Sequence, residues 1–384
     1  MRRLPVAIAL SLAATACKDD APTFTDAGPG IDAPPATDAA PGQCGDGIRA
    51  LGEICYVEST DAIDTHEPPS GAQLGDIDFD GDADLFYLAA GELHWHENTK
   101  RGLGSGYNTG FTGGGTVMAA RDLNADGVAE LLVANGTELS LWRSYDNLEH
   151  SHELRGTLTA PADVQHVVFA NLDGTGLPEV VGLSSLQLTV GTLTADLTPA
   201  AGLSNVMEGA PYDLAAGRFD ADTRDDVVVA NASGVLLFPG TAAGGLGPLI
   251  ELPIPAAHLA TGDFDGDGAL DLAYLDGVHL GLLRGNGDGT FQPATTIDAA
   301  WTSPLVAADL DDDGRDDLLT VGDNQTLRIY RGQADGTLSL TASVPLQNWS
   351  YGLSVGGDLN HDDIPEITFN DGETSHVFFL YSNP

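Results

Sequence analysis

Residues 262–272 read Gly-Asp-Phe-Asp-Gly-Asp-Gly-Ala-Leu-Asp-Leu, which puts Asp263, Asp265, Asp267 and Asp271 at positions 1, 3, 5 and 9 of a short loop. Four carboxylates this close repel one another, and a cation among them relieves the repulsion. Hard oxygen donors at alternate positions, with a glycine where the backbone turns sharply, are what Ca²⁺ takes, and Gly268 fills that turn. An EF-hand would need flanking helices and a Glu at position 12, and neither is present.

The spacing recurs. Asp76, Asp78, Asp80 and Asp84 repeat it with Gly81 at the turn, and Asp122, Asn124, Asp126 and Glu130 repeat it with Gly127. Asp309, Asp311, Asp313 and Asp317 follow with Gly314, then Asp358, Asn360, Asp362 and Glu366. Two copies are eroded: Asn171, Asp173, Thr175 and Glu179 keep two carboxylates, and Arg218 stands at position 1 ahead of Asp220, Asp222 and Asp226. The seven first positions advance by 46, 49, 47, 45, 46 and 49 residues, a steady period that implies one structural unit per repeat.

After the loops come short β-favouring runs such as Leu131-Leu132-Val133-Ala134 and Val227-Val228-Val229-Ala230. Their continuous apolar character suits strands covered on both faces. Before the loops stand small residues, among them Ala119-Ala120, Ala215-Ala216-Gly217 and Gly356-Gly357, which fit where strands converge on a common axis. Each unit therefore reads as four antiparallel strands, in the fifth about 257–262, 270–275, 278–284 and 292–298, with the acidic loop joining the two innermost. Seven such units predict an all-β chain, a seven-bladed β-propeller of four-stranded antiparallel blades. The last copy ends soon after its third strand, so residues 54–60 are expected to supply the missing strand and remove an open edge.

The predicted organisation is a signal peptide over 1–17, a linker over 18–42, a two-cysteine segment with the closing strand over 43–65, and the propeller over 66–384. Arg2 and Arg3 followed by an apolar run to about Ala14 form a secretory signal too short to span a bilayer. The small residues before Cys17 resemble a bacterial lipoprotein cleavage box, which implies lipidation of Cys17, although Ala14 stands where such boxes more often carry Leu. The Asp, Ala, Pro, Thr and Gly of the linker cannot repay the entropy of ordering. Cys44 and Cys55 remain as an even pair in an exported chain, and a disulfide is the default expectation. A formal net charge of −42 makes nucleic acid and anionic membrane surfaces poor partners.

At this point the chain resembles the FG-GAP/VCBS repeats, whose best-known members form the seven-bladed propeller of integrin alpha subunits. The residues that carry the resemblance are the seven loops, together with Gly285-Asn286-Gly287-Asp288-Gly289-Thr290-Phe291 and its echo at residues 332–338. It implies that positions 1, 3, 5 and 9 donate side-chain oxygens to Ca²⁺ and position 7 a backbone carbonyl. By that rule five sites start at Asp76, Asp122, Asp263, Asp309 and Asp358, while the Asn171 and Arg218 loops lack a full donor set.

No nucleophile elbow, zinc-protease helix motif or phosphate-cradling loop occurs, and the clustered carboxylates are absorbed by the loops. His94 and His96, with Trp95 between them, share one face of a predicted third strand, and His150 and His152 form a similar pair; surface polarity explains both more simply than a metal. Trp142, Tyr145, Trp301, Trp349 and Tyr351 are candidates either for recognition or for packing between blades. The reading is a monomeric, lipid-anchored, calcium-stabilised binding or adhesion module on the bacterial cell surface or outer membrane, with an unknown protein or glycan partner. An exported polysaccharide hydrolase or lyase is the alternative.

Overall fold

The computed structural model describes residues 54–382 apart from 55, 59–61, 68, 78–79, 81, 100–101, 109–114, 116, 145–151, 186, 207–209, 300–301, 323–324, 347–351, 361–363 and 372–375. Cys17, Cys44 and Cys55, with the expected signal, tether and disulfide, lie outside the described residues, as do Asp78, Asp362, Gly81, Tyr145, His150, Trp301, Trp349 and Tyr351.

Seven antiparallel sheets follow one another along the chain. Their innermost strands are Pro69–Gly75, Val117–Arg121, Val164–Ala170, Pro211–Gly217, His258–Gly262, Thr302–Ala308 and Gly352–Val355. Each packs against the next, and the seventh packs against the first, so the ring is closed. The close approach explains the small residues: Ala120, Ala215, Ala216 and Ala260 are all buried there. In the fifth blade the strands are His258–Gly262, Asp271–Leu275, His279–Leu283 and Thr295–Ala299. Its outer strand begins later than the spacing predicts, because Gly285 first bridges to Phe291 and the Gln292 N–H donates to the Arg284 carbonyl at 2.8 Å. The fourth blade carries a hairpin that the periodicity does not signal, Gly240–Thr241 paired with Gly245–Leu246.

The core is divided into seven apolar clusters, each between two neighbouring blades. The second strands Asp84–Ala89, Glu179–Ser184 and Asp226–Asn231 are buried along their whole length, as strands sandwiched between sheets must be. Each blade is too thin to bury its own apolar faces, so stability comes from stacking.

The last blade is completed from the other end of the chain. Tyr56–Glu58 pairs antiparallel with His376–Ser382, Tyr56 opposite Ser382 and Glu58 opposite Leu380. The paired strand falls within the 54–60 expected, and Ile63–Asp64 adds a second contact, Ile63 opposite Val377. The Tyr56 hydroxyl donates to the Pro365 carbonyl at 2.7 Å, and Ile54 is buried among Leu346, Val355 and Leu380. Burying such a side chain stabilises the seam by about 1.5–3 kcal/mol.

Candidate metal centre

Each acidic loop leaves an innermost strand and enters the second strand of the same blade. In the Asp263 loop the Gly268 N–H donates to Asp263 Oδ2 at 2.9 Å, the Asp267 N–H to Asp265 Oδ1 at 3.2 Å and the Ala269 N–H to Asp267 Oδ1 at 2.8 Å. The Asp309 loop repeats these bonds from Gly314, Asp313 and Arg315 at 3.0, 3.2 and 3.0 Å, and the Asp122 loop repeats them from Gly127, Asp126 and Val128 at 3.0, 2.8 and 3.1 Å. These side-chain turns explain the alternate spacing, since each carboxylate caps the amide two or five residues on. The turn glycine is needed for its left-handed backbone, φ +88° at Gly268 and +83° at Gly314.

The loop amides thus fix each carboxylate, and the carboxylates converge. Asp263, Asp265 and Asp267 bring one oxygen each within 4.8 Å of one another, and so do Asp309, Asp311 and Asp313. Asp263 Oδ1 is buried without a hydrogen-bond partner. An all-carboxylate donor set with an orphaned oxygen fits a hard divalent cation, which Asp263, Asp265 and Asp267 could hold. Such an ion would supply the positive charge the loop lacks. In its absence burial, reinforced by the neighbouring carboxylates, pushes Asp309 up to about 6 and raises Asp263 and Asp311 above the ordinary range.

Arginine supplies part of that charge, and it differs from loop to loop. Arg284 donates to Asp265 Oδ2 through Nε at 3.1 Å and Nη2 at 2.7 Å. Arg331 Nε lies 2.7 Å from Asp311 Oδ2 and its Nη2 2.7 Å from Asp313 Oδ2, while Arg315 also pairs with Asp313. Arg143 meets Asp126 at 3.0 Å. The Asp263 group therefore sets three carboxylates against one guanidinium and the Asp309 group sets three against two. The first would hold a cation more strongly. In the Arg218 loop it is Arg224, not the position-1 arginine, whose guanidinium pairs with Asp222.

Position 9 has a separate task. In all seven loops its buried carboxylate, on Asp84, Glu130, Glu179, Asp226, Asp271, Asp317 and Glu366, accepts the position-2 N–H at 2.5–3.3 Å. In the four aspartate copies the other oxygen accepts an N–H at the far end of the third strand, from Asn98, Gly240, Gly285 or Gly332, at 2.8–3.0 Å. Gly285 is required there, because a Cβ would stand 2.1 Å from the Leu270 carbonyl oxygen. The carboxylate stitches three strands together at the loop's base. Burial pushes Asp271 up to about 7, Asp317 to about 8 and Glu130 to about 7, and neighbouring loop carboxylates add to the effect.

Two aspartates outside the sequence pattern join neighbouring loops. Asp316 Oδ2 accepts the Asp263 N–H at 2.8 Å while its own N–H donates to the Asp263 carbonyl at 3.0 Å, and Asp225 pairs with Asn171 in the same way at 2.8 and 2.7 Å. Burial pushes Asp316 up to about 7. Asp at position 8 in these two repeats was the available signal, and it reads as an ordinary surface charge without the blade geometry. Gly-rich turns from the following blade cover some loops: the Gly289 N–H donates to the Phe219 carbonyl at 2.9 Å.

Of the other candidates, Asp80 Oδ1 accepts the Asp82 N–H at 2.9 Å, and Asp358 and Asn360 lie beyond the end of the last innermost strand. His94 and His96 share a face as the alternation predicts, both stacked against Tyr87 with centroids 5.3 and 5.8 Å away. His96 is tied to the Gly104 carbonyl at 3.0 Å and to the Tyr87 hydroxyl at 3.4 Å, which is packing chemistry. Trp142 donates to Ser140 Oγ at 3.0 Å and packs against the cluster between the first two blades.

The FG-GAP-like repeat matches residues 76–133, 218–274, 263–320 and 309–369. No curated protein matches the chain in sequence. Among solved structures, BBS1N in complex with ARL6DN is 13% identical over 86% of this chain and 97% of that one, with a TM-score of 0.59. The WD40 domain of Toxoplasma gondii coronin is 11% identical over 88% and 89%, with a TM-score of 0.59. An Agrocybe aegerita lectin that recognises non-reducing terminal N-acetylglucosamine is 14% identical over 76% and 80%, with a TM-score of 0.52. At these identities the likeness is one of fold alone.

Proposed function

Because this chain belongs to the FG-GAP-like repeat family, we propose that it is a calcium-stabilised propeller acting as a non-catalytic binding or adhesion module at a bacterial cell surface. Cys17 would carry the lipid anchor, residues 18–42 the tether, Cys44 and Cys55 a disulfide beside the seam, and the ring the recognition surface. The observation that carries the calcium assignment is the convergence of Asp263, Asp265 and Asp267 around a buried oxygen without a partner. Extracellular calcium modules bind at about 0.1–1 mM, so millimolar calcium adds on the order of 1 kcal/mol per occupied site. A structural ion is the simplest role for sites spread around a ring.

The test is capture of protein or glycan partners by the full chain, in calcium and in chelator, with products assayed by mass spectrometry. Retention without turnover supports the module. An exported polysaccharide hydrolase or lyase is the second reading, favoured by one observation, a histidine–carboxylate cluster outside the loops. New reducing ends or unsaturated products would select it.

A further inference from the structure

The end of the ring away from the acidic loops is where the innermost strands begin, and there three successive blades differ from the rest. His166, Asp213 and His258 occupy the same rung of the ladder, opposite Leu183, Ala230 and Leu275 in their second strands. The equivalent rung holds Gly71, Val117 and Gly352 in other blades, opposite Leu88, Ala134 and Asn370. The fold accepts neutral residues at this rung, so three adjacent ionisable ones are not needed to build it.

They are joined to one another. His166 Nδ1 lies 3.3 Å from Asp213 Oδ1, and His258 Nδ1 lies 3.6 Å from Asp213 Oδ2. The carboxylate is itself fixed by the Leu214 N–H at 2.8 Å and, from the next blade, by the Leu259 N–H at 3.0 Å. Its oxygens face the Nδ1 atoms of both rings, and both imidazoles are about a third exposed. Immediately before, the ladder slips between Val164 and His166 and between Pro211 and Asp213, so Gln165 and Tyr212 are extra residues turned outward. Tyr212 is 46% exposed, so its phenol ring is open to solvent.

From this arrangement we infer that Gln165, His166, Tyr212, Asp213 and His258 form a binding site for an uncharged glycan at the rim of the ring. The inference rests on the reading of the chain as a binding module. A phenol ring offers a flat apolar face to a sugar ring, and held imidazoles and an amide offer directional partners for hydroxyls. A net charge of −42 disfavours anionic sugars.

The experiment uses the full chain on an array of uncharged oligosaccharides in calcium, with isothermal titration of the best binder. Tyr212→Ala should weaken binding at least tenfold and His166→Ala or Asp213→Asn three- to tenfold, with thermal midpoints unchanged for Tyr212→Ala. Tyr212→Phe, which keeps the ring, should bind within threefold of the parent. Binding that survives Tyr212→Ala, or an array with no retained sugar, overturns the site. In those cases capture of a protein partner would leave the module reading standing, whereas cleavage of the array sugars would remove the module reading itself.

Discussion

Replacing Asp271 and Asp263 separately by alanine distinguishes a carboxylate that holds strands from one that faces a cation. Asp271 is 1% exposed and accepts the Phe264 N–H at 3.3 Å and the Gly285 N–H at 2.8 Å. Alanine leaves both donors buried and unpaired, at about 1–3 kcal/mol each, less for the longer bond. Removing a charge that burial already holds at about 7 returns part of this, so a net loss of about 2–4 kcal/mol is expected. That is a large share of an ordinary domain's margin of about 5–15 kcal/mol. Asp263 differs: Oδ2 accepts the exposed Gly268 N–H, and Oδ1 is buried without a hydrogen-bond partner. Asp263→Ala should cost under about 1 kcal/mol in chelator and lose about 1 kcal/mol more in calcium. Urea unfolding of both variants and parent, with EDTA and with 2 mM calcium (about twenty times the tighter Kd expected of such modules), reads the difference. An Asp271→Ala loss that vanishes in EDTA would make position 9 a ligand instead of a stitch and refute the assignment.

Without calcium, stability should fall as pH rises from about 4 to about 8. Asp271, Asp317 and Asp309 sit at about 7, 8 and 6 when folded, above the unfolded value near 3.8, so over that window the folded chain binds more protons. Thermal midpoints in EDTA should be lower at pH 8 than at pH 5, with calcium narrowing the gap; a higher midpoint at pH 8 contradicts the burial of these groups. Arg331→Gln removes the guanidinium shared by Asp311 and Asp313 and should destabilise by about 1–3 kcal/mol in EDTA, a loss that calcium partly restores. Unfolding that shows no calcium rescue would mean the Asp309 loop holds no cation. At the seam, Tyr56→Phe should cost about 1 kcal/mol and Ile54→Ala about 2–3 kcal/mol, read as shifts in urea midpoint; neutral results would detach the N-terminal strand from the ring. Cys17→Ser should move the protein out of the membrane fraction, and unchanged partitioning would exclude the lipid anchor.

The period of the loops made the blades readable, because a loop that must begin and end at fixed strands carries its partners with it. Closure was readable too, from a last repeat one strand short. What spacing could not tell is which way a carboxylate turns: Asp271 looks like Asp263 in a pattern of ones, threes, fives and nines, yet it points at two backbone amides. Arg284 and Arg331 lie 18 to 20 residues from the aspartates they neutralise, and only the third strand's return brings them back. His166, Asp213 and His258 lie 45 to 47 residues apart, and their common rung exists only once the register is known.

The bond from Tyr56 to Pro365 spans 309 residues, so the first strand must wait for almost the last before it can pair. Until the whole polypeptide is available, two raw sheet edges stay open at once, and joining them carries the largest loop-closure entropy in the molecule. Shortened chains lacking the final hairpin would leave Tyr56–Glu58 and Gly352–Val355 without their partners and prone to zip onto another chain, whereas in the finished circle both belong to one sheet.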